Sequence, residues 1–228
     1  MADRFRKRES EMSEPNDRNN PWISVPAAVY EAHMKSPLVL QQQFLSDVFR
    51  DLLVRHRPGA VAVLGCATGN GFEHIDPRVT RSVAGIDINA EYLAILVERH
   101  ARSTPGFRAI LCDIAACDLD PGSLDLVHCA LFLEYVDPRI VLAKVSKWLR
   151  KGGVMSVVLQ LASAGQEKVT DTEFKEILRR LEPIMRLIDP DHLAELAAEA
   201  GFRRDTAEIR TVETGKRFLV TEYRLEGG

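Results

Sequence analysis

Gly65, Gly69 and Gly71 stand in a short loop that directly follows the apolar run Val61–Leu64. Such a run is typical of a buried strand in a parallel sheet. Glycines let the following backbone turn sharply and approach a ligand without a Cβ in the way. Their spacing, Gly-x-x-x-Gly-x-Gly, differs from the Gly-x-Gly-x-x-Gly of nicotinamide and flavin folds. The loop therefore predicts a site for an adenosine-bearing cofactor without specifying which one.

Two carboxylates follow the next two predicted strands. Asp87 lies 22 residues beyond Gly65, and Asp113 follows the third strand. In an open α/β sheet these positions share the carboxyl edge with the glycine loop, where ligands bind. Asp87 could accept hydrogen bonds from both hydroxyls of a ribose, and Asp113 could accept one from an exocyclic amine. Ile88 and Ile114 would offer apolar faces to a purine ring.

The elements that must position these residues alternate between strand and helix. Apolar runs predict strands over 60–64, 82–86, 107–111, 124–129 and 154–161. Asn89 is expected to cap a helix that reaches about residue 101, and Asp137-Pro138 is expected to begin another. The buried face predicted for the second of these helices comprises Ile140, Val141, Val145, Trp148 and Leu149. This alternation predicts a parallel, right-handed, doubly wound sheet.

The flanking regions differ from this core. Residues 1–20 are polar and are predicted to form a disordered tail. Residues 21–58 are predicted to form an N-terminal lid and helix, with helical segments over 27–35 and between Pro37 and Pro58. The main domain is predicted over 59–228, with an insertion at 162–188 that carries a helix over 171–187.

The end of the chain breaks the strand–helix alternation. Asp189-Pro190 predicts a helix start and Gly201 its end. Two strands, over 204–213 and 216–226, flank Thr214-Gly215, which is expected to form a two-residue hairpin turn. A plain dinucleotide-binding domain does not normally end in an antiparallel hairpin.

Five segments, in order, resemble the motifs of the class I S-adenosylmethionine-dependent methyltransferases. The resemblance covers roughly residues 37–226. The segments are Leu64–Gly71, Gly85–Ile88, Cys112–Ile114, Leu124 through Val136, and Leu149–Gly153. It implies an α/β, Rossmann-like, doubly wound, mostly parallel seven-stranded sheet that ends in an antiparallel hairpin. It also implies S-adenosyl-L-methionine as cofactor and transfer of its methyl group to an oxygen, nitrogen or carbon of a small molecule.

The resemblance also implies a set of cofactor-binding residues. They are Gly65, Cys66, Ala67, Gly69, Asp87, Ile88, Asp113, Ile114, Cys129 and Ala130. The chain departs from the family pattern at two positions. Val63 stands where the family usually has an acid that helps to hold the methionine end of the cofactor, and Ala67 replaces the middle glycine.

The catalytic residues are not evident from the sequence. Tyr30 and His33 could touch substrate or act as a base from the lid, or could simply pack against the domain. Glu134 falls where the rim of the active site is expected, but could equally lead into the next helix. His128 lies in a predicted buried strand and is interpreted as a core imidazole.

Composition limits the partners and the location. The formal net charge of −3 argues weakly against nucleic acid, and no segment is apolar over a membrane-spanning length. The four cysteines form no Cys-x-x-Cys pair, so neither metal nor disulfides are expected. We therefore expect a cytoplasmic monomer or homodimer that acts on a small-molecule substrate.

Two alternatives stay open from the residues. One is a non-catalytic protein that binds S-adenosylmethionine without turnover, an option kept by Val63 and by the lack of an obvious base. The other is a nicotinamide-dependent oxidoreductase, which the glycine spacing and the terminal hairpin disfavour.

Overall fold

The computed structural model describes residues 20–104, 106–162 and 169–227, so the predicted disordered tail at 1–20 lies, Asn20 apart, outside it. Seven strands form one sheet: β1 Ala60–Leu64, β2 Ser82–Asp87, β3 Phe107–Leu111, β4 Leu124–Ala130, β5 Leu149–Gln160, β6 Phe202–Thr211 and β7 Arg217–Leu225. The α-helices are α1 Ala27–Lys35, α2 Gln41–His56, α3 Ala90–His100, α4 Pro138–Trp148, α5 Lys175–Leu178 and α6 Pro190–Glu199. Short 3-10 helices span Pro21–Ser24, Phe72–His74, Leu133–Tyr135 and Arg179–Leu181.

The sheet has the predicted topology. Its strand order is β3-β2-β1-β4-β5-β7-β6. The pairs β1–β2, β2–β3, β1–β4 and β4–β5 are parallel, whereas β7 is antiparallel to both β5 and β6. The order reverses between β1 and β4, and ligands of open α/β sheets bind at such a reversal, outside the carboxyl ends of the strands. The predicted fold class is confirmed.

Three predicted helix caps are present and fix the starts of α3, α4 and α6. The side chains of Asn89, Asp137 and Asp189 each accept a hydrogen bond from a backbone N–H in the first turn of the helix that follows. Each oxygen satisfies a donor that would otherwise have no intrahelical partner. The residues after β2 and before α4 therefore take fixed positions at the edge of the sheet.

Apolar residues fill both sides of the sheet, and His128 lies among them. Its side chain is buried, approaches the Ser156 hydroxyl at 3.2 Å and stacks on the Phe49 ring at 5.0 Å between centroids. Burial lowers the pKa of His128 to about 4. The interpretation of His128 as a core imidazole is confirmed.

Three local predictions are wrong. The helix expected over 171–187 is reduced to α5 and one 3-10 turn, because Pro183 removes an N–H donor and disfavours helix in the residue before it. Ile140 is 39% exposed, and Leu142 occupies the buried face of α4 in its place.

The third wrong prediction is the two-residue hairpin turn between β6 and β7. Val212 N–H donates to the Lys216 carbonyl oxygen at 3.0 Å, and Gly215 N–H donates to the Val212 carbonyl oxygen at 2.8 Å. Gly215 has φ +82°. These features define a three-residue loop whose last residue is left-handed, a conformation that glycine adopts without strain.

In the part of the chain that the structure describes, no helix has the length and apolar character needed to cross a membrane. All four cysteines are buried with free thiols, and no cluster of metal-ligating side chains is found among the described residues.

Asn89 joins the N-terminal segment to the sheet, which yields a first prediction. Besides capping α3, its amide donates to the carbonyl oxygens of Trp22 and Val25, at 2.9 and 3.2 Å. Asn89→Ala should lower the free energy of unfolding by about 2–4 kcal/mol, because a cap is lost and two acceptors lose their donor. Urea denaturation measures the loss.

Asn89→Ser is the matched control, since a serine oxygen can keep the cap but cannot reach both carbonyls. It should recover about 1 kcal/mol relative to Asn89→Ala. Native stability in the alanine variant would contradict this role for Asn89.

Candidate functional site

A large cleft lies over the carboxyl ends of the strands. Its volume is about 1240 Å³, counting the space that opens to solvent. One half is formed by residues that follow β1 to β4, and the other by the N-terminal lid (residues 21–36), the segment 169–188 and the β6–β7 loop.

The glycine loop is held tightly against the second strand. The N–H groups of Gly65 and Cys66 both donate to the Ile86 carbonyl oxygen, at 2.9 and 3.1 Å. Gly65 has φ +63°, and a Cβ at this position would lie 2.6 Å from the Phe132 ring. Any side chain at Gly65 would therefore displace the loop after β4.

Ala67 adopts a conformation that normally favours glycine. Its φ is +45°, and its N–H donates to Asp87 Oδ2 at 2.9 Å. An L-residue in the left-handed region costs roughly 1–2 kcal/mol, so the replacement of the middle glycine leaves a strained backbone here. The alanine side chain packs against Ala27 and Tyr92.

Asp87 connects three parts of the cleft. One carboxylate oxygen accepts from Ala67 N–H and the other from Asn89 N–H, each at 2.9 Å. Burial raises the pKa of this carboxyl above its usual range, although the same N–H groups oppose the shift. A carboxylate has about four acceptor positions. Asp87 lines the cleft, so it retains acceptor capacity for a ligand.

The third predicted contact region is also in place. Ile88, Asp113 and Ile114 line the same half of the cleft as Asp87. Asp113 Oδ1 accepts from Ala115 N–H at 2.8 Å, so the carboxylate also closes a local turn. The sequence therefore brings the two acids and the two isoleucines together as expected.

Some predicted residues lie outside the cleft. Of the ten residues named as cofactor-binding, Cys66, Gly69 and Cys129 do not line it, whereas Ala130 does. A Cβ added at Gly69 would lie 2.5 Å from the Leu96 side chain, and Cys129 is fully buried. Cys66 contributes its backbone N–H to the loop.

The lid is fixed on the glycine loop by side chains that the sequence analysis did not single out. Thr68 Oγ1 donates to Glu31 Oε1 at 2.5 Å, and Arg99 forms an ion pair with the same carboxylate. Ala27 N–H donates to Glu91 Oε1 at 3.2 Å. These contacts join residues 37 to 68 positions apart in the chain, so no local pattern reports them.

Tyr30 and His33 both line the cleft, but neither is poised as a base. Tyr30 lies between Trp22 and Tyr92, with ring centroids 6.1 and 5.4 Å away, and burial raises the pKa of its phenol well above the usual value. His33 Nδ1 lies 3.0 Å from Thr172 Oγ1, and burial lowers its pKa to about 4. At neutral pH the phenol is protonated and the imidazole is uncharged.

A family model described as a methyltransferase domain matches residues 61–153. These residues include the glycine loop, Asp87 and Asp113. This part of the chain is similar to the methyltransferase domain, in line with its resemblance to the class I S-adenosylmethionine-dependent methyltransferases. The match supports S-adenosylmethionine as the cofactor. No protein with a curated description matches the sequence significantly.

Solved structures share the fold of this chain. The [4+2]-cyclase SpnF is 14% identical with a TM-score of 0.65, and the match covers 81% of each chain. The N-methyltransferase NodS from Bradyrhizobium japonicum WM9, solved with S-adenosyl-L-homocysteine, is 15% identical with a TM-score of 0.64 over 85% of this chain and 90% of that one. An S-adenosylmethionine-dependent methyltransferase from Mesorhizobium loti is 18% identical with a TM-score of 0.59, over 78% and 96%. These likenesses establish the fold, which a cyclase also uses.

The lining of the cleft is not confined to the motif residues. Val63 is buried in the apolar core beside α2 and does not line the cleft. Trp22, Tyr135, Gln160 and Lys216 do line it, although only Tyr135 falls within a motif. They lie on four separate elements or loops, and only the three-dimensional fold brings them together.

Glu134 lies beneath the cleft rather than on its rim. Its side chain is 1% exposed and does not line the cleft. Oε1 accepts from Gln160 N–H at 2.8 Å, whereas Oε2 has no partner among the described residues. The Glu134 carbonyl oxygen accepts from Arg186 N–H at 2.8 Å. Burial raises the pKa of the carboxyl to about 7.

The buried carboxyl of Glu134 predicts a pH dependence of stability. The folded protein favours its protonated form, so the stabilisation is complete below the ordinary pKa of about 4.3 and is lost as pH rises through 7. Glu134→Gln keeps an acceptor for Gln160 N–H but does not titrate. Between pH 5 and pH 8 the native protein should therefore lose free energy of unfolding relative to this variant.

Urea denaturation of both proteins at pH 5, 6.5 and 8 measures the effect. Titration of His33 and His128 is common to both proteins and cancels in the difference. Parallel pH profiles would show that Glu134 does not titrate in this range.

Proposed function

We propose that this methyltransferase transfers the methyl group to a small molecule held in the half of the cleft that the cofactor does not occupy. The lining of the cleft is the observation that carries this proposal, because Asp87 and Asp113 line it after β2 and β3, whereas apolar side chains line it from the segment 169–188. The two acids lie in one half, and apolar side chains dominate the other. Such a division suits a polar nucleoside beside a less polar acceptor.

The residues proposed to bind the cofactor are those of the first half. Asp87 would accept from the ribose hydroxyls, and Asp113 from the exocyclic amine of adenine, while Ile88 and Ile114 would contact the ring. The backbone around Gly65 and Ala67 would follow the methionine part. Cys66, Gly69 and Cys129 stay predicted cofactor-binding residues. They would act through backbone atoms or through the shape of the loop.

The bound cofactor supplies an activated methyl group on a positively charged sulfur. What remains for the chain is to align the acceptor with that methyl group and to exclude water. Asn89 and Glu31 serve this purpose, because their hydrogen bonds hold the lid over the glycine loop. Since the Tyr30 phenol stays protonated and the His33 imidazole is a weak base, the acceptor should be nucleophilic when neutral or should ionise easily.

The proposed location is the cytoplasm and the proposed partner is the small molecule alone. Four buried free thiols agree with a reducing compartment. The net charge of −3 gives no electrostatic attraction for nucleic acid. The oligomeric state proposed is a monomer or a homodimer.

Binding without turnover is the second candidate, favoured by Val63 and by the absence of a poised base among the described residues. The match of residues 61–153 to a methyltransferase domain leaves the alternative of a nicotinamide-dependent oxidoreductase without support. A screen of small-molecule acceptors for release of S-adenosylhomocysteine distinguishes the enzyme from the non-catalytic binder. Release with an acceptor supports the proposal, and tight cofactor binding without release from any acceptor would favour the second candidate.

Asp87→Ala should weaken the affinity for S-adenosylhomocysteine by about 1–3 kcal/mol, because hydrogen bonds to a charged group are lost. Isothermal titration calorimetry measures the change. Asp118→Ala is the control, since the Asp118 side chain is 89% exposed and lies outside the cleft. Equal affinities in the two variants would show that the ribose site is misplaced.

Ala67 allows a second test of the half of the cleft that is proposed to bind the cofactor. Ala67→Gly relieves the strained φ and should keep the cofactor affinity, whereas Ala67→Val adds a branched side chain at φ +45° beside the cleft and should lower it at least about tenfold. Calorimetric titration with S-adenosylhomocysteine compares the variants. Unchanged affinity in the valine variant would place the cofactor away from the loop.

A further inference from the structure

Three aromatic side chains, Trp22, Tyr30 and Tyr135, form a cluster at the wall of the cleft, called here the aromatic cluster. Trp22 and Tyr30 belong to the lid, and Tyr135 lies in the 3-10 helix that follows β4. The Trp22 ring stands at 85° to the Tyr135 ring with 5.0 Å between centroids, and at 75° to the Tyr30 ring with 6.1 Å. All three side chains line the cleft and are only partly buried, so part of each is accessible to a ligand.

The aromatic cluster lies where the reactive end of the cofactor is expected. Asp113 follows β3 and Asp87 follows β2, and the sheet continues as β1 and then β4. With adenine at Asp113 and the ribose at Asp87, the rest of the cofactor extends along this edge toward β1 and β4, at about 5 Å per strand. Tyr135 follows β4, whereas Tyr30 is close enough to Asp87 for that charge to add to the effect of burial in raising the pKa of its phenol. The cluster therefore spans the edge from Asp87 to the end of β4, where the sulfur would lie.

A second carboxyl group, that of Glu134, makes this place favourable for a cation. Its side chain is 1% exposed, and its Oε2 has no hydrogen-bond partner among the described residues. Burial, and after it the charge of Glu134, raises the pKa of the neighbouring Tyr135 phenol. A buried carboxylate that lacks a counter-charge is stabilised when a cation comes close.

The basic side chain at the cleft lies farther along the edge. Among the described residues that line the cleft, Lys216 is the single lysine or arginine. It precedes β7, which is two strands beyond β4 in the sheet and so about 10 Å away. The acids Asp87 and Glu134 therefore dominate the charge next to the aromatic cluster.

Aromatic faces attract cations because the ring quadrupole is negative there. The sulfur of S-adenosylmethionine carries a positive charge, whereas the sulfur of S-adenosylhomocysteine is an uncharged thioether. When the methyl group leaves, the electron pair of the broken bond stays on the sulfur and cancels its charge. Rings that contact the sulfur thus attract the methyl donor more strongly than the product.

We propose that the aromatic cluster of Trp22, Tyr30 and Tyr135 binds the positively charged sulfur of S-adenosylmethionine. By this contact the protein distinguishes the methyl donor from the demethylated product by charge. The cluster holds the donor under the lid and binds the product less tightly once the methyl group has been transferred. This inference rests on the proposed function, because it needs the ribose at Asp87 and adenine at Asp113.

Calorimetric titrations with S-adenosylmethionine and with S-adenosylhomocysteine, without acceptor, test the proposal. The ratio of the two affinities isolates the effect of the sulfur charge, because the rest of the ligand is the same. Tyr135→Leu removes the ring and should shift this ratio against S-adenosylmethionine by at least about fivefold. Tyr135→Phe is the matched control, since it keeps the ring and should keep the ratio within about twofold of the native value. Trp22→Leu should act like Tyr135→Leu and serves as the second variant if that protein does not fold.

Sinefungin separates charge from shape, because it carries a protonated amino group in place of the methylated sulfur. Its affinity relative to S-adenosylhomocysteine should fall in the two leucine variants, as that of S-adenosylmethionine does. A loss confined to S-adenosylmethionine would show that the rings contact the methyl group through its shape, which contradicts recognition of charge.

Two further results would overturn the inference while the proposed function stands. One is an affinity ratio that is unchanged in both leucine variants. The other is an unchanged ratio together with tetramethylammonium that binds to the native protein saturated with S-adenosylhomocysteine but not to Tyr135→Leu, which would assign the aromatic cluster to a cationic acceptor. If the native protein binds neither S-adenosylmethionine nor S-adenosylhomocysteine, the proposed function fails and not this inference alone.

Discussion

The carboxylate of Asp87 joins the segments that follow β1 and β2 at the carboxyl edge of the sheet. It accepts N–H groups from Ala67 in the glycine loop and from Asn89 at the start of α3, so the ends of β1 and β2 are fixed to each other. Asn89 in turn donates to the carbonyl oxygens of Trp22 and Val25 and so positions the lid. Asp87 thus joins the glycine loop to the first turn of α3, and Asn89 and Glu31 join the lid to them. The Asp87 side chain is also the proposed partner of the cofactor ribose.

The lid changes the chemistry that the cleft can support. Tyr30 and His33 belong to the lid, and their burial raises the pKa of the phenol and lowers the pKa of the imidazole, so both groups are neutral near pH 7. A site built in this way favours alignment and exclusion of water over proton abstraction.

Much of the fold could be predicted from the sequence because its signals are local. The bounds of β1 and β3 and the caps at Asn89, Asp137 and Asp189 follow from apolar runs and from short side chains beside helix starts. The prediction of a helix over 171–187 is wrong because the spacing of polar and apolar residues favours a helix there, whereas Pro183 interrupts it. The hairpin turn was wrong by one residue, since Thr214-Gly215 fits both a two-residue and a three-residue loop.

The sequence predicts only those residues of the candidate site that lie within a local motif. The positions of Asp87 and Asp113 at the strand ends follow from the sheet rule, and both line the cleft. The contact between Glu31 and Thr68, the depth of Glu134 and the approach of Lys216 to His33 depend on how distant segments pack. Periodicity and spacing do not encode such contacts, so the acceptor half appears only in the folded chain.

A crystal structure of the protein with S-adenosylhomocysteine tests the central claim most directly. The account predicts that the ribose hydroxyls donate to Asp87, that adenine lies between Ile88 and Ile114, and that the sulfur faces the half of the cleft lined by Tyr135 and Lys216. Adenosine bound away from Asp87, or a sulfur that faces away from that half, would contradict it.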